Sequence, residues 1–132
     1  MLAIPRMQLV YFPLNIGVGA ETLFPDVQNL VGEGVEVLGF VAYNSDNLGT
    51  TPDGAAVVSV ADSKKLTVTL NKGSDQMFQS IPYTDLIRAL NGGIWYETVP
   101  FPIDLTKCVV KNNGVAITQS NAAIMFVYRF RN

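Results

Sequence analysis

Histidine is missing from this 132-residue chain. With it go the usual proton shuttle, the commonest zinc ligand and every Ser-His or Cys-His nucleophile pair. The sequence accordingly predicts no catalytic centre, no metal site and no cofactor, and the chain reads as a non-enzyme. Cysteine occurs once, which rules out an internal disulfide. Cys108, beside Lys107 in the apolar run CVV, reads as a small buried hydrophobe. Charge is scarce at 15% of residues, against about 25% in an ordinary soluble domain. A net charge of -2 gives no field for gathering phosphate backbones, so nucleic acid is not expected as a main partner. The same shortage leaves the surface without the repulsion that keeps free monomers apart. Long apolar runs are missing too. Pro5, Gln8 and Pro13 interrupt the N-terminal stretch before a signal-peptide core can form, and later uncharged stretches carry Asn, Gln, Ser and Gly. The expectation is a protein made in the cytoplasm with no visible export signal.

What is present is short alternating apolar runs cut by Gly, Pro, Asn and Asp, within a length that suits one domain over residues 1–132. The central run is Gly34 to Asn44, GVEVLGFVAYN. Val35, Val37, Val41 and Tyr43 share one parity while Leu38, Phe40 and Ala42 share the other, so both faces are apolar after Glu36. Such a strand must be covered twice, once by the domain core and once by a second layer or a neighbouring subunit. Before it, Met7 to Phe12 reads as a strand, Leu14 to Gly19 as a short second piece, and Ala20 to Gly34 as a connecting arm, extended over Glu21 to Phe24.

After the central run, the Asn-, Asp-, Gly- and Pro-rich stretch Asn44 to Gly54 is a loop. Val57 to Ala61 reads as a strand and Asp62 to Lys65 as a turn. Leu66, Val68 and Leu70 alternate with Thr67 and Thr69, which predicts a half-exposed strand with the aliphatic residues inward. Asn71 to Asp75 turns the chain into Met77 to Ile81. Tyr83 to Leu90, opened by Pro82 and closed by Asn91, Gly92 and Gly93, is the one segment with helical spacing. Ile94 to Val99 is extended, and Pro100 and Pro102 force a bend or an edge position. Leu105 to Lys111 and Val115 to Thr118 flank Asn112, Asn113 and Gly114, a hairpin signal. The last strand, Ala122 to Phe130, places Ile124, Phe126, Tyr128 and Phe130 on one face and Met125, Val127, Arg129 and Arg131 on the other. Eight or nine short strands predict an all-β antiparallel β-sandwich with one short helix, and the strand count with its long loops fits a jelly roll.

Candidate sites are few. Asn44, Asp46 and Asp53 offer oxygen atoms in one loop, but Ala55 stands where a calcium loop would need its bidentate Glu, so a plain polar turn is expected. Trp95 and Tyr96 are adjacent and would face opposite ways on a strand, as core or subunit-interface residues. Met125, Arg129 and Arg131 share one face of the last strand and read as a solvated or interfacial edge. Glu21, Glu33, Glu36, Asp62, Asp85, Glu97 and Asp104 show no spacing that selects a pair for acid–base work.

The low charge, the strand count, the Pro-bounded corners IPYTDL and PFPIDL and the C-terminal strand together resemble the single jelly-roll capsid proteins of tailless icosahedral bacteriophages with an internal membrane, above all their vertex (penton) proteins. The resemblance implies a homopentamer at five-fold vertices of a virion, contacts with other capsid proteins, and in some members docking of a spike protein or proximity to the inner membrane. The chain is too short for a double jelly roll, which points to a vertex or minor capsid role. The rival expectation is a carbohydrate- or receptor-binding sandwich that uses Trp95, Tyr96 and the Asn44 to Gly54 loop.

Overall fold

The computed structural model describes residues 6–25, 35–72, 75–87, 96–101, 107–114, 116–117 and 119–130, with the backbone alone for 71–72, 75–79 and 96–101. Among the described residues there are eight strands: β1 (Arg6–Pro13), β2 (Glu21–Leu23), β3 (Val35–Tyr43), β4 (Leu66–Lys72), β5 (Asp75–Pro82), β6 (Tyr96–Phe101), β7 (Val109–Asn112) and β8 (Asn121–Phe130). They form two four-stranded antiparallel sheets, ordered β1-β8-β3-β6 and β2-β7-β4-β5. Four of the pairings, 1 with 8, 2 with 7, 3 with 6 and 4 with 5, join strands whose numbers add to nine. A chain doubled into one long hairpin makes those four contacts. Rolling that hairpin up adds the remaining two, β8 against β3 and β7 against β4. This is the jelly roll expected from the strand count.

Proline placement follows from the missing N–H. Pro13, Pro82 and Pro100 lie in β1, β5 and β6, and each of these is the edge of its sheet, where a lost donor breaks no ladder. The interior strands β3 and β8 contain no proline.

The core lies between the sheets. Leu66, Val68 and Leu70 point inward at 1–2% exposure while Thr67 and Thr69 are half-buried, as their alternation predicts. From the other sheet come Val10, Phe12, Phe40, Ala42, Ile124 and Phe126. Phe24 stacks 5.0 Å from Phe12 and 6.1 Å from Phe126, and Phe126 lies 6.1 Å from Phe40. Tilted aromatic pairs of this kind add about 0.5–1.5 kcal/mol each beyond their buried area. Cys108 is fully buried.

β3 departs from its simple parity. Val37 pairs with Tyr128 but Gly39 pairs with Val127, so a bulge at Leu38 inserts one residue opposite an unbroken β8. Val35 and Val37 before the bulge and Phe40 and Ala42 after it therefore share the inner face. Both faces of β3 are covered, as expected, yet Val41 at 5% and Tyr43 at 8% are buried within the single chain. No neighbour is required there.

Several local expectations are corrected. Residues 14–20 are not a strand. The segment expected as strand Val57 to Ala61 makes only one isolated bridge, Val57 with Asn121. It then enters a single helical turn, α1 (Val60–Ser63), capped by the Ser59 side chain, which accepts from the Asp62 N–H at 3.1 Å. The helix expected at Tyr83 to Leu90 is a 3-10 turn over Tyr83–Leu86, ended where Ile87 forms an isolated bridge with Ala42 of β3; residues 88–95 lie outside the described residues. Asn112, Asn113 and Gly114 close no hairpin. β7 pairs with β2 and β4, and the chain crosses to β8 in the opposite sheet. The turn at Asn71 to Asp75 is tighter than expected, since β4 runs to Lys72 and β5 starts at Asp75.

Candidate functional site: the loop end of the sandwich

Each odd-numbered strand hands the chain to the following strand in the opposite sheet at one end of the sandwich. The connections at 14–20, 44–65 and 113–120 meet there: Leu14 N–H donates to Ser120 O at 3.0 Å, Val58 N–H to Asn121 O at 2.9 Å, and Gly19 N–H to Asn112 O at 2.8 Å. Asn112, buried at 1% exposure, donates through Nδ2 to Ile16 O and Gly17 O and accepts from Gly114 N–H. The Asn-Asn-Gly stretch thus acts as a side-chain clamp between loops.

The long connection after β3 is held by its own side chains. Asn44 N–H donates to Asn47 Oδ1 at 2.8 Å, and Asp46 N–H donates to Asn44 Oδ1 at 3.0 Å. Further along, Asp53 Oδ1 accepts from the Thr51 hydroxyl and from Ala55 N–H, and these bonds hold its carboxyl below the usual value. The loop oxygens considered for calcium are thus engaged with the loop's own donors at Asn44 and Asp53. Lys65 pairs with Asp62 at 2.9 Å beside α1.

Tyr83 fastens the 3-10 turn to this end. Its hydroxyl donates to Tyr43 O at 2.5 Å, accepts from Ala123 N–H at 3.3 Å and lies 3.2 Å from Ala123 O, bridging the last register pair of β3 and β8. Full burial pushes the phenol well above the ordinary tyrosine value.

Between the Asn44 turn, α1 and the 3-10 turn lies a cleft of about 510 Å³. Val60 and Ile87 contribute to its lining with the Asn44 turn (Asn44, Asp46 and Asn47), the α1 end (Ser63 and Lys64) and Thr84. The sequence singled out Asn44 and Asp46 but not their partners, because α1 and the 3-10 turn reach them only through the tertiary fold.

The predicted interface residues are divided. Met125 and Arg129 do share the outward face of β8. Met125 is half-buried, 3.8 Å from the Tyr43 hydroxyl, and Arg129 pairs with Glu36 at 2.9 Å. Tyr96 stands opposite Phe40 in the backbone register of β6. Trp95 and Arg131 lie outside the described residues.

Exposed large apolar residues form a second candidate surface. Met7 is 60% exposed on β1, Ile16 and Val18 are exposed in the following connection, and Leu23 is exposed on β2. β1 and β2 are the edges of the two sheets on one flank, stapled together by the Phe12–Phe24 contact. Phe130, also exposed, sits 5.0 Å under the Arg6 guanidinium at the start of β1. Compared with protein-family models, curated proteins and solved structures, the chain matches none of them.

Proposed function

We propose that the chain is a structural subunit of an icosahedral virion, built into the capsid as a vertex (penton) or minor component through contacts with copies of itself and with other capsid proteins. One observation carries the reading: all five exposed large apolar residues among those described gather on the β1–β2 flank and the adjoining end of β8. β1 runs unbroken from Met7 to Phe12 with no bulge against β8 and no charged residue. Monomeric proteins blunt such an edge with charged side chains, prolines or bulges; here only the terminal Arg6 and Pro13 do so. A jelly roll, a low charge and one apolar flank suit a subunit that packs side by side in a closed ring.

Sedimentation of the purified chain, beside a Val18→Asp, Leu23→Asp double variant, tests this. The expected result is a discrete oligomer for the natural sequence and a soluble monomer for the variant, since a stable contact buries upwards of about 1,200 Å² and does not tolerate unpaired carboxylates at its centre. A natural chain that stays monomeric at high concentration overturns the proposal.

A further inference from the structure

We infer that the 14–20 connection is an apolar knob that seats in the cleft of a second copy of this chain, a contact that rests on the assembly proposed above and names the two surfaces that meet in it. The knob is Asn15 to Ala20, NIGVGA, which carries no charge. Ile16 is 43% exposed and Val18 69%, the highest value among the large apolar residues described. Its backbone is already bonded within the chain. Asn15 N–H donates to Thr22 Oγ1, Gly19 N–H to Asn112 O and Ala20 N–H to Gly17 O, while Ile16 O and Gly17 O accept from Asn112 Nδ2. The knob can therefore enter a dry contact without leaving those groups unpaired, a loss that burial would otherwise make costly.

The cleft, at about 510 Å³, has room for such a tip, and its wall is mostly apolar surface. Its two charged residues, Asp46 and Lys64, are exposed and opposite in sign, so they stay hydrated and neither repels an uncharged knob. Placement makes the contact intermolecular. β8 stands between β1 and β3 in one sheet, and β7 between β2 and β4 in the other. The knob joins β1 to β2, whereas the cleft is built from residues that follow β3, precede β4 and follow β5. Ile87 bridges Ala42, whose other side is taken by Ile124 of β8, so it lies on the side of β3 away from β8. Knob and cleft thus lie toward opposite flanks at one end of the sandwich. The Leu14 N–H bond to Ser120 O and the Asn112 side chain pin the knob to its own flank. A contact between two different surfaces is head-to-tail, and it generates a ring where the rotation closes.

Cross-linking between two differently tagged, co-expressed variants tests the contact. One carries Val18→Cys and the other Lys64→Cys, at the exposed rim of the cleft; the natural Cys108 is fully buried. With a short bis-maleimide the expected product is a mixed dimer, in yield well above that from either variant alone or from the natural chain. Thr84→Trp fills the cleft and leaves the β1–β2 flank untouched, and should weaken self-association about tenfold or more with an unchanged circular dichroism spectrum. Val18→Cys chains that link to one another and not to Lys64→Cys chains would overturn the inference and leave the assembly reading standing, as would an oligomer that Thr84→Trp does not weaken. A natural chain that sediments as a monomer overturns both. Flotation of the natural chain with phosphatidylcholine vesicles, lost on Val18→Asp and accompanied by no mixed dimer, would assign the knob to a lipid surface and overturn the inference too.

Discussion

Replacing Tyr83 by Phe removes one oxygen atom from a fully buried side chain and leaves the ring in place. The hydroxyl serves the final β3–β8 register pair, donating to Tyr43 O and accepting from Ala123 N–H. Its loss leaves those groups without that partner in a fully buried site. An unsatisfied buried donor or acceptor costs about 1–3 kcal/mol, so the variant should lose about that much stability. Urea unfolding followed by circular dichroism at neutral pH measures it as a lower midpoint at unchanged slope. The pH dependence gives a second readout of the same hydroxyl. The folded phenol is held neutral well above its ordinary value, while in the unfolded chain it ionises from about pH 10 upward. The contribution is therefore fully present below about pH 10 and is lost as pH rises beyond it, by up to about 1.4 kcal/mol per pH unit. The stability difference between the natural chain and Tyr83→Phe should shrink across that range. A difference under about 0.5 kcal/mol at neutral pH, or one that does not change on alkaline titration, would refute the account of Tyr83 as the fastening of the loop end.

Two further outcomes test the packing. Val68, 1% exposed, faces the core while its neighbour Thr69 faces out, so Val68→Asp should abolish folding, at a cost of several kcal/mol, and Thr69→Asp should cost much less, losing chiefly the 3.1 Å bond from Ser80 N–H; equal effects in thermal melts would contradict the register of β4. Ser80 has a φ of 52° at the irregular β4–β5 pairing, a left-handed conformation that costs a side chain about 1–2 kcal/mol, so Ser80→Gly should stabilise the domain by up to about 1 kcal/mol and Ser80→Val should destabilise it. A Gly variant that melts well below the natural chain would contradict the strain.

The parts of the fold legible in the sequence are those set by neighbours in the chain. Leu66 to Leu70 alternate because one face of β4 is core, and the apolar residues of β8 follow the same rule. What failed was set by distant residues. The bulge at Leu38 lets two β3 segments both match one continuous β8 face, and its one local sign is Gly39, since an isolated Gly inside a strand often marks a bulge. Asn113-Gly114 has the composition of a hairpin turn, yet β7 finds better partners in β2 and β4, and Asn112 spends its side chain on the 14–20 connection. At Ser59 a usable signal was present: Ser followed three residues later by Asp is a helix-start pattern, and it competed with the β-branched run Val57-Val58. The cleft was only half legible, because Asn44 and Asp46 belong to an evident loop while Thr84 and Ile87 arrive from the far side of the chain.

The rolled-hairpin topology also sets the order of events on the ribosome. β8 follows the other seven strands in the chain, yet it lies between β1 and β3, so β1 cannot join the β3–β6 pair until β8 has been made. β1 must wait for a partner more than a hundred residues downstream, Leu9 for Met125. Closing so long a loop makes folding slow compared with a protein of local contacts. During that wait the apolar strand edges are open to wrong partners. Until β8 takes its place, the edges of β1 and β3 that it will occupy stay available to such partners.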